Sequence, residues 1–152
     1  MEIKIICIGK LKETYLVDGV KEYIKRLNPF TKISIIELKE FNTDVSSKNI
    51  EEEGKLILSQ INDDFVITLE IEGNNINSVE LANMISKHIS YNSNDISFVI
   101  GGSDGLSTDV KKRSNYKLSF GKMTFPHQLM RLILVEQIYR AFTILNNKRY
   151  HK

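Results

Sequence analysis

In Ile96-Ser97-Phe98-Val99-Ile100-Gly101-Gly102-Ser103-Asp104-Gly105, a short run rich in β-branched and aromatic residues breaks off into three glycines within five positions. A run of that kind bounded by turn residues is a buried strand. Glycines at its end can take positive φ and let a ligand approach the backbone closely. The carboxyl ends of strands are also where α/β sheets hold their ligands. An ordinary strand-to-helix turn is written with the same residues, so both readings stand on this motif alone.

The pattern repeats outward in both directions. Toward the N-terminus, Asn77-Ser78-Val79-Glu80 has the form of a capping box opening a helix to about Ile89. Before it come a strand over Phe65 to Ile71, a helix over Ile50 to Ile61 and a polar loop or linker over Phe41 to Asn49. Further back, Lys32 to Leu38 reads as a strand, Glu13 to Leu27 as a helix stopped by Asn28-Pro29, and Ile3 to Ile8 as a strand ending at Gly9. Toward the C-terminus, Ser107 caps a short helix to Arg113, Tyr116 to Phe120 forms a strand, and a last helix runs from Pro126 to about Asn146. Strands alternating with helices predict an α/β domain with a largely parallel sheet flanked by helices, a single domain over residues 1–152. That layout says nothing about function.

Composition narrows the class. Hydrophobic residues are 41% and charged residues 26% of the chain, the balance of a globular domain and not of a disordered one. One cysteine, Cys7, lies in the apolar run Ile5-Ile6-Cys7-Ile8, which predicts a core thiol and a reducing compartment. No signal-peptide pattern opens the chain and the last helix has no long apolar run, so a cytoplasmic protein without a membrane span is expected. Charge is unevenly distributed. Residues 1–110 hold 11 Lys/Arg against 18 Asp/Glu, whereas residues 111–152 hold 10 Lys/Arg against Glu136 alone. A polyanion partner or a merely solvated basic face both account for this. On the last helix Met130, Ile133, Leu134, Ile138, Phe142 and Leu145 form one apolar stripe, and Leu129, Leu132, Val135 and Tyr139 a second. Two stripes predict a further partner, and a homodimer is the expectation.

Several chemistries are missing. No P-loop, dinucleotide-binding or HExxH pattern is present, no GxSxG elbow marks a nucleophile, and His88, His127 and His151 are too scattered for a zinc site. No metal is expected. What remains is the glycine turn after Ile100, a second turn at Phe120-Gly121-Lys122-Met123-Thr124-Phe125, and the strand ending near Leu69. Backbone groups from three strand ends, with no lysine in the glycine turn, suit a nucleoside better than a phosphate. A non-catalytic RNA-binding module and a nucleotide-binding regulator or hydrolase are the rivals at this point.

Phe98 to Gly105, Leu118-Ser119-Phe120-Gly121-Lys122-Met123-Thr124-Phe125-Pro126-His127-Gln128, Glu136-Gln137-Ile138-Tyr139-Arg140-Ala141, the opening Ile8-Gly9-Lys10-Leu11-Lys12 and the ending Tyr150-His151-Lys152 resemble the RlmH family of SPOUT methyltransferases over essentially the whole chain. The resemblance implies a homodimeric SPOUT-type α/β fold with a C-terminal trefoil knot, and S-adenosylmethionine as methyl donor. It implies N3 of pseudouridine 1915 in 23S rRNA, on the assembled ribosome, as acceptor. Cofactor contacts are implied at Leu69, Gly101, Phe120, Gly121, Lys122, Met123, Thr124 and Phe125. Gly121 stands where family members often carry serine, a change expected to loosen the loop, and Phe41 to Glu53 is expected to lie away from the site.

For such a reaction His127 and His151 are candidate bases for the N3 proton. Arg140, placed for an i,i+4 pair with Glu136, and Tyr150 join His151 as candidate RNA-site residues, since an aromatic ring beside charge suits an unpaired base and its phosphate. The tail of one subunit is expected to complete the cavity of the other. Lys111, Lys112, Arg113, Lys117 and Lys122 are expected to attract rRNA without reading its sequence.

Overall fold

The computed structural model describes residues 1–152. Five strands alternate with five helices: β1 (Glu2–Ile8), α1 (Thr14–Leu27), β2 (Lys32–Leu38), α2 (Ser46–Ser59), β3 (Phe65–Asn75), α3 (Ser78–Tyr91), β4 (Ile96–Ile100), α4 (Thr108–Arg113), β5 (Tyr116–Ser119) and α5 (His127–Leu145). All paired strands are parallel, in the spatial order β2-β1-β4-β3-β5. This is the α/β sheet flanked by helices that the strand–helix alternation predicts.

β1 and β4 lie inside the sheet and are covered on both faces, which is why they read as apolar runs without alternation. The alternation survives in which layer each residue enters. Ile3, Ile5 and Cys7, with Ile96, Phe98 and Ile100, face the larger core beneath α1, α3 and α5. Ile6, Ile8, Val66 and Val99 face a smaller core with Ile57 of α2 and Val110 of α4. Burying each such aliphatic side chain contributes about 1.5–3 kcal/mol, and truncating Phe98 to alanine would cost about 3–5 kcal/mol.

Three helix starts follow their caps. Asn77 Oδ1 accepts the Glu80 N–H at 2.8 Å and Ser107 Oγ accepts the Val110 N–H at 3.2 Å, while Pro126 precedes α5. Two boundaries differ from expectation by more than two residues. α2 begins at Ser46 and not at Ile50, because its first turns bury Asn49 and Glu53, polar residues that break the apolar period. The loop is thus Phe41 to Val45 and is tied to this helix: Thr43 N–H and Oγ–H donate to Asn49 Oδ1, and Phe41 N–H donates to Glu53 Oε2. β3 continues past Ile71 to Asn75, because β5 pairs with it again at Asn74 and Asn75 beyond an irregularity.

No residue of α5 is fully exposed. It lies between α1 and α3: Leu132 packs where Gly19 leaves room, Tyr139 meets Tyr23 at 5.8 Å between ring centres, and Gln137 accepts from Ser78 Oγ at 2.7 Å. Leu132, Val135 and Tyr139 of the second apolar stripe thus meet partners inside the chain, and the stripe by itself does not require a second copy. No helix is long and apolar enough to cross a membrane.

Candidate functional site

Leu69, Glu70, Ile71 and Glu72, at the irregularity within β3 and not at its end as the sequence suggests, join the loops that follow β4 and β5 on either side of it to surround a cavity of about 770 Å³. Of the implied cofactor positions, Leu69, Gly101, Phe120, Gly121, Met123, Thr124 and Phe125 line it, as does His127 from the first turn of α5. Lys122 alone of that set does not line it, and its side chain is exposed. Leu69, Ile100, Leu118, Phe120 and Met130 supply apolar surface, while Met123, 76% exposed, stands at the open side.

The rim is acidic. Glu70, Glu72 and Asp104 line the cavity against one lysine, Lys111, whose ammonium lies 4.0 Å from Glu70. Such a rim favours a cationic ligand over a phosphate ester. The loops themselves are tightly held. Ser119 Oγ donates to Ile71 O at 2.8 Å and accepts the Gly121 N–H at 3.1 Å, tying the second loop to the edge of β3. Gly121 has φ +127°, a conformation that L side chains rarely adopt, so glycine here fits the turn instead of loosening it. In the first loop Gly105 N–H closes onto Gly102 O at 3.1 Å. A Cβ on Gly102 would stand 2.9 Å from Glu53 Oε1 and 3.2 Å from Ile8 Cγ2. Asn49 Nδ2 reaches Asp104 Oδ2 at 3.3 Å. The Phe41-to-Glu53 segment, expected away from the site, therefore abuts it.

The loop after β1 is fastened to the start of α5. Arg131 is 1% exposed, pairs with Glu37 and donates to Gly9 O at 3.0 Å. Lys12 N–H reaches Gln128 Oε1 at 3.3 Å. This sets the first turn of α5, and His127 with it. The sequence marks Arg131 only as a charge interrupting an apolar helix. Burial pushes the nearby Cys7 thiol up to about 11, with the Arg131 charge opposing and Glu37 adding to it, so Cys7 is an inert core thiol.

Arg140, Tyr150 and His151 come together apart from His127. Arg140 Nε donates to Glu136 at 3.0 Å, the i,i+4 pair that the spacing predicts. Tyr150 folds back over α5: its hydroxyl donates to Glu136 at 3.2 Å, lies 3.3 Å from the Tyr23 hydroxyl, and its ring meets Tyr139 edge-on at 4.8 Å. Partial burial, the Tyr23 contact and the Glu136 charge push this phenol far above its ordinary range. His151 Nδ1 is 3.4 Å from Arg140 Nη1. The His151 ring borders a second hollow of about 450 Å³ that shares Leu118 and Phe120 with the first. Two of the proposed RNA-attracting cations are otherwise engaged: Lys111 faces Glu70, and Arg113 donates to Asn62 O and Asp64 O. Lys112, Lys117 and Lys122 are exposed and form no ion pair. No cluster of His, Cys, Asp or Glu is arranged to hold a metal ion.

A parallel α/β sheet with a ligand-sized cavity at its carboxyl side, acidic lining residues and an apolar wall has the architecture in which α/β domains hold small ligands. A family model described as "Predicted SPOUT methyltransferase" matches residues 1–151. Two proteins called ribosomal RNA large subunit methyltransferase H are similar along their whole length: one from Carboxydothermus hydrogenoformans at 47% identity and one from Streptococcus sanguinis at 51%, each covering 100% of both chains. The chain belongs to the RlmH family of SPOUT methyltransferases. The fold is also that of a solved "Probable Methyltransferase" from Bordetella pertussis Tohama I, with TM-score 0.58 at 11% identity over 92% of this chain and 93% of that one.

Proposed function

We propose that this protein transfers a methyl group from S-adenosylmethionine to N3 of pseudouridine 1915 in 23S rRNA of the assembled ribosome, working as a cytoplasmic homodimer with a knotted C-terminal half. The observation that carries the reading is the cavity between β3 and the loops after β4 and β5, lined by seven of the eight residues that the family resemblance marks for the cofactor, Lys122 being the exception. Its chemistry fits that group. The apolar wall of Leu118, Phe120 and Met130 suits an adenine ring, and the carboxylates of Glu70, Glu72 and Asp104 suit a ligand with an ammonium and a sulfonium. When bound, S-adenosylmethionine supplies an electrophilic methyl for in-line displacement.

The chain's part is then mostly positioning. Gly101 and Gly102 keep side chains out of the first loop, and Ser119 fixes the second. His127, which lines the cavity, is with His151 a candidate to take the acceptor's N3 proton. Arg140, Tyr150 and His151 form a cationic, aromatic surface for the RNA. In the dimer the tail of one subunit completes the cavity of the other.

Incubation of the protein with S-adenosylmethionine labelled in its methyl and with ribosomes lacking the modification tests the reaction. Label in the RNA that disappears with Gly101→Leu, whose Cβ would stand 2.9 Å from Leu106 Cδ2 and 3.1 Å from the Gly105 carbonyl and so displace the first loop, is the expected result. Label that survives this substitution would move the transfer to another site.

A further inference from the structure

α2 turns a polar face toward the glycine loop. Asn49 bonds Thr43 O at 2.9 Å and Asp104 at 3.3 Å, joining the segment after β2 to the cavity's first loop. One turn on, Glu53 is 3% exposed. Its Oε2 accepts the Phe41 N–H at 3.0 Å, but Oε1 is buried without a hydrogen-bond partner and faces Gly102. A buried carboxylate oxygen with no donor is strongly disfavoured, and the neutral acid costs less there. The charges facing it are Glu40, beyond β2, and Asp104, in the loop, both negative. Lys39 lies over the Phe41 ring at 5.0 Å and forms no ion pair. Burial first, then these two carboxylates, push the Glu53 carboxyl up against the opposing Phe41 bond.

We propose that Glu53 is a positioning residue of the ligand cavity: as the neutral acid it seats Gly102 and the loop through Gly105 against α2, and on ionisation it releases them. This rests on the reading of that loop as the cofactor's. An acid whose proton is held more tightly in the seated arrangement favours that arrangement at low pH, and the contribution is lost as pH rises through the raised value. Affinity for S-adenosylmethionine therefore falls with rising pH, by at most about tenfold per pH unit for one proton. Glu53→Gln keeps the shape and cannot ionise.

The test is calorimetric titration of the full chain with S-adenosylmethionine from mildly acidic to alkaline pH, for wild type, Glu53→Gln and Glu53→Ala. Amide exchange of residues 101–105 in the ligand-free proteins, corrected for intrinsic chemical rates, runs beside it. Glu53→Gln should match wild type at the acidic end and lose the decline, the difference separating Glu53 from His127 and from the ligand's own groups. Glu53→Ala should bind about tenfold more weakly throughout, with faster exchange in the loop. A Glu53→Gln protein that keeps the wild-type decline, or that binds as weakly as Glu53→Ala at acidic pH, overturns the proposal. If wild type binds no S-adenosylmethionine, the cofactor reading fails, and the exchange series still decides: loop protection that responds to pH identically in wild type and Glu53→Gln overturns the role of Glu53.

Discussion

The Arg140 guanidinium lies 4.7 Å from the centre of the Tyr150 ring, and Arg140 Nε and the Tyr150 hydroxyl both donate to the same oxygen of Glu136. One carboxylate, the lone acidic residue after position 110, thus holds together the helix and the tail that the proposed reaction assigns to RNA. Arg140 is satisfied within the chain, and an RNA phosphate would compete with Glu136 for it.

Removing that carboxylate should free the tail without disturbing the cavity. Glu136→Ala is expected to cost about 1–2 kcal/mol in urea unfolding and to speed amide exchange from Lys148 to Lys152. S-adenosylmethionine affinity should stay within about twofold. A tail that keeps its protection would mean that the Tyr139 and Tyr23 contacts hold it alone.

Deleting Tyr150 to Lys152 should abolish methyl transfer and leave cofactor affinity nearly intact, since Leu69, Gly101 and the Phe120-to-Phe125 loop remain. Binding calorimetry and single-turnover transfer on the same preparation separate the two. Loss of cofactor binding would contradict this division between cavity and tail.

The buried pairs predict stability. Arg131→Met leaves the Gly9 carbonyl and Glu37 without their guanidinium, and Glu37 is partly hydrated, so a loss of about 2–4 kcal/mol is expected. At the opposite end of the sheet, burial raises the Asp64 carboxyl, but bonds from Lys4 and Ser97 outweigh it and hold the group below its ordinary value. A depressed carboxyl stabilises the fold above its unfolded pKa, about 3.9, and that contribution is lost as pH falls through the folded value. Asp64→Asn should therefore lower stability at neutral pH and flatten the acid limb of the unfolding curve. An unchanged acid limb would place the acid sensitivity elsewhere.

Among the basic residues after position 110, the uncommitted lysines should carry the salt dependence of RNA binding. Replacing Lys112, Lys117 and Lys122 together by glutamine should reduce the slope of log affinity against log salt by about 2–3. Arg113→Gln should act mainly on stability, because Arg113 holds the Asn62 and Asp64 carbonyls. An unaltered slope in the triple variant would make these lysines a solvated face.

The local fold was legible because its signals are local. Strand and helix alternation, the Asn77 and Ser107 caps and the stop at Asn28-Pro29 each act over a few residues. The grouping of Leu69, Gly101 and Phe120 around one cavity is not such a signal: it comes from the family resemblance, and Leu69 lies within β3 and not at its end. What sequence periodicity hides is polar burial. Asn49, Glu53 and Arg131 look like surface residues in a helical pattern, and only the tertiary fold reveals that they fasten loops to the cavity. The extension of β3 to Asn75 was equally hidden, since it depends on pairing with β5. Arg140, Tyr150 and His151 could be grouped as chemistry, and Arg140 paired with Glu136 by spacing, but not the folding back of Tyr150 onto Glu136 and of His151 onto Arg140.

The most direct test of the central claim is nucleotide-resolution mass spectrometry of 23S rRNA, from ribosomes lacking the modification, after incubation with the protein and methyl-labelled S-adenosylmethionine. The account predicts a single labelled nucleoside, N3-methylpseudouridine at position 1915. Label at another nucleotide, or none from a protein that binds the cofactor, would contradict it.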